Sequence, residues 1–150
     1  QNGPSGTQLS AAARYPIPAW TPTSGWKVDK ALVFAHALQE SQFRTDATSS
    51  AGARGVMQLM PATARMVARH EGWTLDSGAL AQPTTSIDLG QAYLRELADN
   101  LGATGGLLPK VIAAYNAGPN SVADWNARGQ YVYDQLTQTA TGIARQLDLQ

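Results

Sequence analysis

The chain contains no cysteine, and its eleven basic and eleven acidic side chains cancel to a formal net charge of zero. Without cysteine, disulfide frameworks, thiol nucleophiles and thiolate metal sites are excluded. Without an excess of positive charge, we expect neither nucleic acid nor an anionic membrane surface as a partner. The longest apolar run, ALVFAHAL at residues 31–38, is too short to cross a bilayer. We therefore also expect no membrane insertion.

Strand patterns are equally scarce, since no segment alternates convincingly between apolar and polar residues. Apolar periodicity and capping residues instead predict six helices, at about residues 28–43, 61–70, 86–101, 109–117, 121–128 and 131–147. The first is apolar nearly all round, which is typical of a buried helix, so we expect it to be the central one. The polar, glycine-containing segment that follows it predicts a loop or one minor hairpin. The predicted fold class is all-α.

Residues 1–25 hold four of the eight prolines, which is too many to sustain a helix. We expect an extended Pro/Gly-rich segment there, followed by one domain at residues 26–150, a length that suits a single domain. Trp20 provides an apolar side chain that can be buried, so we expect the second half of this segment to pack against the domain. Because the chain begins with Gln1 rather than Met, we expect that a leader was removed or that the chain was cut from a longer one.

Glutamate is rare: the chain has three, and Glu40 is the one embedded in apolar sequence, ALQESQF at residues 37–43. Desolvation and the negative end of its own helix should both raise the pKa of this carboxyl. A carboxylic acid that is still protonated near neutral pH can act as a general acid on a glycosidic oxygen. The alternative is a buried ion pair with Arg44 or Arg54, and the pattern alone favours neither interpretation.

Histidine is rare as well, with only His36 and His70. A metal site would need further ligands at suitable spacing, so we interpret His36 as a packed histidine and expect no metal. The glycines of residues 52–55 follow a helix rather than a strand, which is the wrong context for a phosphate-binding loop. The sequence therefore predicts no cofactor.

Two further segments place polar groups in apolar surroundings. In GVMQLMPATA, residues 55–64, Met57 could be an ordinary core residue. The amide of Gln58 needs partners, which a sugar hydroxyl or acetamide could provide. In AAYNAGP, residues 113–119, Tyr115 and Asn116 precede the end of a short helix. Asn116 could simply cap that helix, or both side chains could face the same cleft as Glu40.

Four segments in order resemble the catalytic domain of the lytic transglycosylases related to soluble lytic transglycosylase, in the goose-type lysozyme-like superfamily: ALQESQF, AGARGVMQLMPATA, GQAYLREL and VIAAYNAGPNSV. The resemblance covers residues 28–126, most of the chain, and YPIP at residues 15–18 looks like the entry to that domain. The resemblance implies a lysozyme-like catalytic domain at residues 26–150. It also implies cleavage of the β-1,4 bond between N-acetylmuramic acid and N-acetylglucosamine in peptidoglycan, where the muramyl 6-hydroxyl attacks the anomeric carbon and leaves a 1,6-anhydro product.

The resemblance implies a role for each matching residue. Glu40 matches the single catalytic acid and base, and Ser41 matches a residue that helps to hold the site. A set of substrate-binding residues is implied as well: Ser41, Met57, Gln58, Tyr115, Asn116 and Tyr131. A one-acid mechanism agrees with the sequence, because the only other acid near Glu40 is Asp46, to which we assign no role. In this mechanism Asn116 is the candidate that orients the substrate acetamide.

One segment departs from the family pattern. Soluble members commonly carry Glu-Thr-Arg-x-Tyr-Val after the region matched by Trp125, whereas residues 128–132 here read Arg-Gly-Gln-Tyr-Val. Either the cleft is more open at that end, or Tyr131 supplies what remains of its wall. The departure motivates one alternative function, a non-catalytic glycan-binding factor of a wall-spanning secretion machine. A second alternative is a hydrolytic muramidase on the same fold.

The resemblance also implies a setting for the protein. Its partner would be the glycan strands of peptidoglycan, and its location would be the periplasm or the secreted fraction, in the cell envelope of a bacterium. We expect a monomer, similar to the compact members of the family that accompany secretion or conjugation machinery.

Overall fold

The computed structural model describes residues 17–148; Tyr15, Pro16 and the rest of residues 1–16 lie outside the described range. Five α-helices occur within it: α1 (Lys30–Ser41), α2 (Pro61–Glu71), α3 (Pro83–Asp99), α4 (Leu108–Ala117) and α5 (Pro119–Asp148). A 3-10 turn occupies Ala79–Ala81. In the described range the only β pairing consists of isolated bridges, which join Arg54 to Thr48 and to Leu59. The all-α prediction is confirmed.

Helix α1 begins where the Asp29 side chain accepts hydrogen bonds from the backbone N–H groups of Ala31 (2.7 Å) and Leu32 (3.3 Å). This is an N-cap, which satisfies donors that have no partner within the helix. The helix is buried on one side by Val33, Phe34, His36, Ala37 and Ser41. Its opposite side is open to solvent at Ala31, Ala35 and Gln39.

Helix α3, rather than α1, is the helix with burial all round. Residues 86–94 are buried without interruption. Gly90 lies in the middle of this run, where the Met57 side chain packs against the helix; a Cβ atom at Gly90 would come within 2.6 Å of Met57 Cε. The prediction that the helix at residues 28–43 is the buried, central one is therefore wrong for α1, which is buried on one side only.

The chain divides into two compact units, with the boundary between Ala92 and Tyr93. In the first unit, α3 holds the irregular segment before α1 through polar side chains. The Asp88 carboxylate accepts hydrogen bonds from the backbone N–H of Thr23 (2.7 Å) and from the hydroxyl of Ser24. Gln91 donates to the carbonyl of Gly25 (2.8 Å) and accepts from the N–H of Lys27 (2.9 Å). Because this segment has no regular secondary structure, the α3 side chains provide hydrogen-bond partners for its backbone N–H and carbonyl groups.

Aromatic rings also hold the same segment. The Trp20 ring lies edge-on to Phe43 with centroids 6.3 Å apart, and Trp26 lies edge-on to Phe34 at 5.5 Å. Such edge-to-face pairs contribute beyond the apolar area that they bury. The predicted division between an extended segment at residues 1–25 and a domain at residues 26–150 stays a prediction.

In the second unit, Thr104 donates a hydrogen bond to the Leu97 carbonyl (2.5 Å) and Asn126 donates to the Ala103 carbonyl (2.6 Å). Helix α5 continues through Gly129 as one helix of 30 residues. The prediction of two helices, at residues 121–128 and 131–147, is therefore wrong. A glycine inside a helix costs only about 1 kcal/mol relative to alanine, and with no proline nearby it does not end the helix. Within residues 17–148, no helix is both long enough and apolar enough to cross a membrane.

Two glycines of the loop between α1 and α2 provide a matched test of this packing. Gly52 and Gly55 both have positive φ, +92° and +77°, but a Cβ atom would enter open space at Gly52 and would overlap the Leu80 carbonyl oxygen at Gly55. Gly52→Ala should therefore lower the free energy of unfolding by about 1–2 kcal/mol through backbone strain alone. Gly55→Ala should lower it by about 3 kcal/mol or more, because steric overlap adds to the strain.

Urea unfolding followed by circular dichroism measures both losses. Equal losses for the two variants would contradict the close approach of the loop to Leu80.

Candidate active site

Glu40 lies at the penultimate position of α1 and is half-buried. Burial raises the pKa of its carboxyl above the ordinary value of 4.5, because the charged form loses hydration. The unpaired carbonyl groups at the end of a helix also disfavour a negative charge there. The carboxyl therefore has the two properties that a proton donor needs: it keeps its proton to higher pH, and part of it can reach solvent.

The described residues of the first unit hold no ion-pair or hydrogen-bond partner for the Glu40 carboxylate. The Arg44 side chain turns back to donate from Nε to the Ser41 carbonyl at 3.2 Å. Arg54 lines a cavity to which Glu40 does not contribute. The alternative of a structural ion pair with either arginine thus finds no support here, and the elevated pKa of Glu40 is not offset by a neighbouring cation.

The hydroxyl of Ser41 joins the end of α1 to the loop that follows it. Its Oγ lies 3.0 Å from the Ala37 carbonyl oxygen and 2.9 Å from the Val56 carbonyl oxygen, and the residue is only 2% exposed. These two contacts tie the end of α1, and with it Glu40, to the loop. The prediction that Ser41 binds substrate stays a prediction.

Met57 lies in the same loop. Its side chain is fully buried and packs in the core, while its contact with a glycan strand, which the match to the family loop implied, stays a prediction. Its backbone N–H donates to the Ser86 hydroxyl at 3.2 Å. The interpretation of Met57 as a core residue is the one that the structure supports.

Gln58 adopts a left-handed backbone with φ of 46°, a conformation that is costly for any residue other than glycine. Its side-chain nitrogen donates to the carbonyls of Ala47 (3.0 Å) and Gly55 (2.8 Å), which holds the turn together. The partners that this amide was expected to need are therefore supplied partly by the loop itself. Because both amide hydrogens are used, its side-chain oxygen is the atom that could accept a hydrogen bond from a sugar.

The remaining predicted residues belong to the second unit. Tyr115 is half-buried, with its ring centroid 5.4 Å from that of Tyr93. Asn116 is exposed, and its side-chain nitrogen donates to the Ile112 carbonyl at 3.3 Å. The C-cap of α4 is Gly118, so Asn116 lies inside the helix and the capping interpretation is wrong; its amide bonds a carbonyl one turn back and leaves its oxygen available. Tyr131 is 66% exposed on α5. The contacts of all three with substrate stay predictions.

His36 is buried, and burial lowers its pKa, which favours the neutral ring of a packed histidine. Within the described residues, no group of three or more acidic or histidine side chains is placed to hold a metal ion. The sequence interpretation missed Ser86, Asp88 and Gln91, whose buried side chains hold backbone of the loops. The signal that could have revealed them is the spacing of Asp88 and Gln91, which places two polar groups on one face of an apolar helix.

Comparisons with known proteins identify the family of the chain. A family model for the transglycosylase SLT domain matches residues 20–137. A putative soluble lytic murein transglycosylase from Haemophilus influenzae is 39% identical over 116 residues, which are 73% of this chain and 18% of that protein.

Two solved structures are similar as well. The lytic transglycosylase Slt of Pseudomonas aeruginosa, in an inactive mutant form, matches with a TM-score of 0.58 and 42% identity over 62% of this chain and 15% of that one. The 70 kDa soluble lytic transglycosylase of Escherichia coli matches with a TM-score of 0.61 and 34% identity, over 75% of this chain and 17% of that one. The lysozyme-like fold prediction is thereby confirmed.

The chain spans less than a fifth of the length of each of these three proteins. The family match nevertheless covers most of the chain, from before α1 to within α5. It includes both the helix that carries Glu40 and the loop that Ser41 holds. The chain belongs to the SLT family of transglycosylase domains.

Proposed function

We propose that this chain is a lytic transglycosylase domain, which cleaves the β-1,4 bond between N-acetylmuramic acid and N-acetylglucosamine in peptidoglycan. The observation that carries the proposal is Glu40, a half-buried acid with a raised pKa and no partner cation among the described residues of its unit. Membership of the SLT family and the names of the murein-cleaving relatives support the choice of substrate.

In the first step, the protonated Glu40 carboxyl donates its proton to the glycosidic oxygen. The bond between that oxygen and the muramyl anomeric carbon breaks, so N-acetylglucosamine leaves as an alcohol and Glu40 becomes a carboxylate. Positive charge develops on the muramyl ring, and the oxygen of its own acetamide stabilises that charge. The raised pKa serves this step because it extends to higher pH the range in which the acid is protonated.

In the second step, the Glu40 carboxylate accepts the proton of the muramyl 6-hydroxyl. The oxygen of that hydroxyl forms a bond to the anomeric carbon, which gives the 1,6-anhydro product and regenerates the acid. One residue thus serves both steps. The described residues provide no second carboxylate that contributes to the pKa shift of Glu40.

The reason to prefer a transglycosylase to a hydrolytic muramidase is that Asp46 is the only other acid near Glu40 in sequence, whereas hydrolases of the usual kind need two carboxyl groups about 5–9.5 Å apart. A non-catalytic binding factor would have no use for a desolvated, unpaired acid, which lowers the stability of the fold when it ionises.

Three further residues are proposed to contact the substrate. Asn116 orients the acetamide through its free side-chain oxygen, Gln58 accepts a hydrogen bond from a sugar, and Tyr131 forms an apolar part of the cleft wall. The proposed setting is the bacterial cell envelope, with the protein acting as a monomer alongside secretion or conjugation machinery.

Replacement of the acid tests the proposal directly. Glu40→Gln should reduce the release of anhydro-muropeptides from purified sacculi by about a hundredfold or more, because general acid–base catalysis is lost. Glu71→Gln is the matched control, since Glu71 is also near a helix C-terminus but is exposed; it should retain full activity. Mass spectrometry of the products reports both the amount and the type of end. Full activity of the Glu40 variant, or reducing ends in place of anhydro ends, would refute the proposal.

The raised pKa of Glu40 also predicts how stability depends on pH. Between 4.5 and the raised pKa, the folded state keeps a proton that the unfolded state has lost, so the stability of the native protein falls as pH rises through that window. The neutral amide of Glu40→Gln avoids this loss. The variant should therefore gain stability relative to the parent chain as pH rises from below 4.5 to neutral. Glu71→Gln is measured beside it as a second replacement of a carboxylate near a helix end.

Thermal unfolding of the parent chain and both variants across this pH range measures the difference. A stability advantage of Glu40→Gln that is the same at pH 3.5 and pH 7 would show that its carboxyl is not desolvated.

A further inference from the structure

The chain turns back on itself directly after α1, at Gln42 and Phe43, and we call these two residues the reversal. Glu40 lies just before it. The Phe43 ring is edge-on to that of Phe34, with centroids 6.2 Å apart, and to that of Trp20, at 6.3 Å. Phe34 belongs to α1 itself, whereas Trp20 belongs to the irregular segment before that helix. The Trp20 ring therefore joins the reversal to a different part of the first unit.

The backbone of the reversal is weakly held at Phe43. The N–H of Gln42 donates to the Leu38 carbonyl at 2.9 Å. The N–H of Phe43 donates to the Ala37 carbonyl at 3.5 Å, which is longer than the usual range of about 2.7–3.2 Å. Both residues also have positive φ, 54° and 63°, a conformation that is strained in residues other than glycine. The packing of the Phe43 ring is therefore needed to keep the reversal closed.

Trp20 is itself held in place, because the segment that carries it docks on α3. Asp88 of α3 accepts a hydrogen bond from the N–H of Thr23 at 2.7 Å. Gln91 of α3 donates to the carbonyl of Gly25 at 2.8 Å. Both α3 side chains are buried, and hydrogen bonds away from water are electrostatically stronger. The chain just after Trp20 is thus fixed, and the ring is a firm support for the reversal.

A second tryptophan of the same segment offers a comparison. Trp26 is edge-on to Phe34, with centroids 5.5 Å apart, and it is partly exposed, as Trp20 is. The Lys30 ammonium lies over the Trp26 ring, 5.7 Å from its centroid. Trp26 therefore packs on the body of α1, well before Glu40, whereas Trp20 packs on the reversal that follows it.

We propose that Trp20 is a positioning residue for Glu40. The Trp20 ring keeps Phe43 in place, Phe43 keeps the reversal closed, and the closed reversal holds the Glu40 carboxyl in its half-buried position. The catalytic consequence rests on the proposed function, because a misplaced acid is a less efficient proton donor to a glycosidic oxygen. In this role Trp20 acts through Phe43 and needs no contact with the substrate.

Replacement of each tryptophan by leucine tests the proposal. Trp20→Leu should lower kcat on purified sacculi by about tenfold or more, because a small displacement of the acid has a large effect on rate. KM should change little, since the lost positioning acts on the chemical step. Trp26→Leu is the matched control and should keep the kcat of the parent chain, while Trp20→Phe, which keeps a ring, should restore most of the loss. Equal losses in the two leucine variants, or an equal loss in Trp20→Phe, would overturn the proposal.

The chain has only three glutamates, which allows a measurement that needs no catalysis. With isotope-labelled glutamate, NMR resolves their carboxyl signals, and the signal that is lost in Glu40→Gln belongs to Glu40. Burial raises the pKa of this carboxyl, and opening of the reversal would hydrate it. Its pKa should therefore fall toward the ordinary value in Trp20→Leu and stay raised in Trp26→Leu. A Glu40 pKa that is the same in Trp20→Leu as in the parent chain would contradict the positioning role.

Two controls complete the design. Both rings are partly exposed, so both leucine variants should fold, and urea unfolding should show similar losses of stability that cannot explain a loss of kcat in only one of them. If the parent chain released no anhydro ends from sacculi, the proposed function would fail, while the titration would still decide whether Trp20 holds Glu40. If the parent chain were active and Trp20→Leu kept both its kcat and its Glu40 pKa, the positioning role would fail and the proposed function would stand.

Discussion

Helix α1 ends in a strained chain reversal, and the position of the candidate acid depends on it. Gln42 and Phe43 follow Ser41 directly and have φ of 54° and 63°. Neither is glycine, so each left-handed residue costs about 1–2 kcal/mol. The reversal persists because its surroundings hold it: the Ser41 hydroxyl is fixed between the carbonyls of Ala37 and Val56, and the Phe43 ring packs edge-on to Phe34 at 6.2 Å. Strain of this kind is typical of functional sites, where surrounding structure over-determines the backbone.

The same reversal explains how Glu40 can be desolvated without being locked in place. The chain turns away from the helix one residue after Ser41, and Arg44, the nearest cation in sequence, donates instead to the Ser41 carbonyl. A cation beside Glu40 would lower the pKa of its carboxyl and remove its ability to donate a proton. Arg44 therefore stabilises the backbone of the turn, and the pKa of Glu40 stays raised. Stability of the turn and reactivity of the acid are supplied by different groups.

Much of this could be predicted from sequence, and the exceptions have physical causes. Helices α2 and α4 could be placed because proline at the start and glycine at the end mark their boundaries locally. Glu40 stood out because a carboxylate within an apolar run is rare. The burial of the Ser41 and Met57 side chains could not be decided from the sequence, because a motif shows which residue types recur and not whether a side chain faces a ligand or the core. Their burial depends on Val56, Ser86 and Gly90, which are distant in sequence. The break predicted near Gly129 failed because helix propensity is weak beside the continuity of a long helix.

The polar residues of α3 show why the most buried helix is not the most apolar one. The loop after α1 and the segment before it lack regular secondary structure, so their buried N–H and carbonyl groups need partners. Ser86 accepts from the N–H of Met57, Asp88 from that of Thr23, and Gln91 both accepts from Lys27 and donates to Gly25. A wholly apolar α3 would bury more hydrophobic surface but would leave these backbone groups unsatisfied, at about 1–3 kcal/mol each. Helix α3 thus fixes both irregular segments that flank α1. The polar contacts that hold the end of α1, where Glu40 lies, come mostly from residues outside the ALQESQF segment.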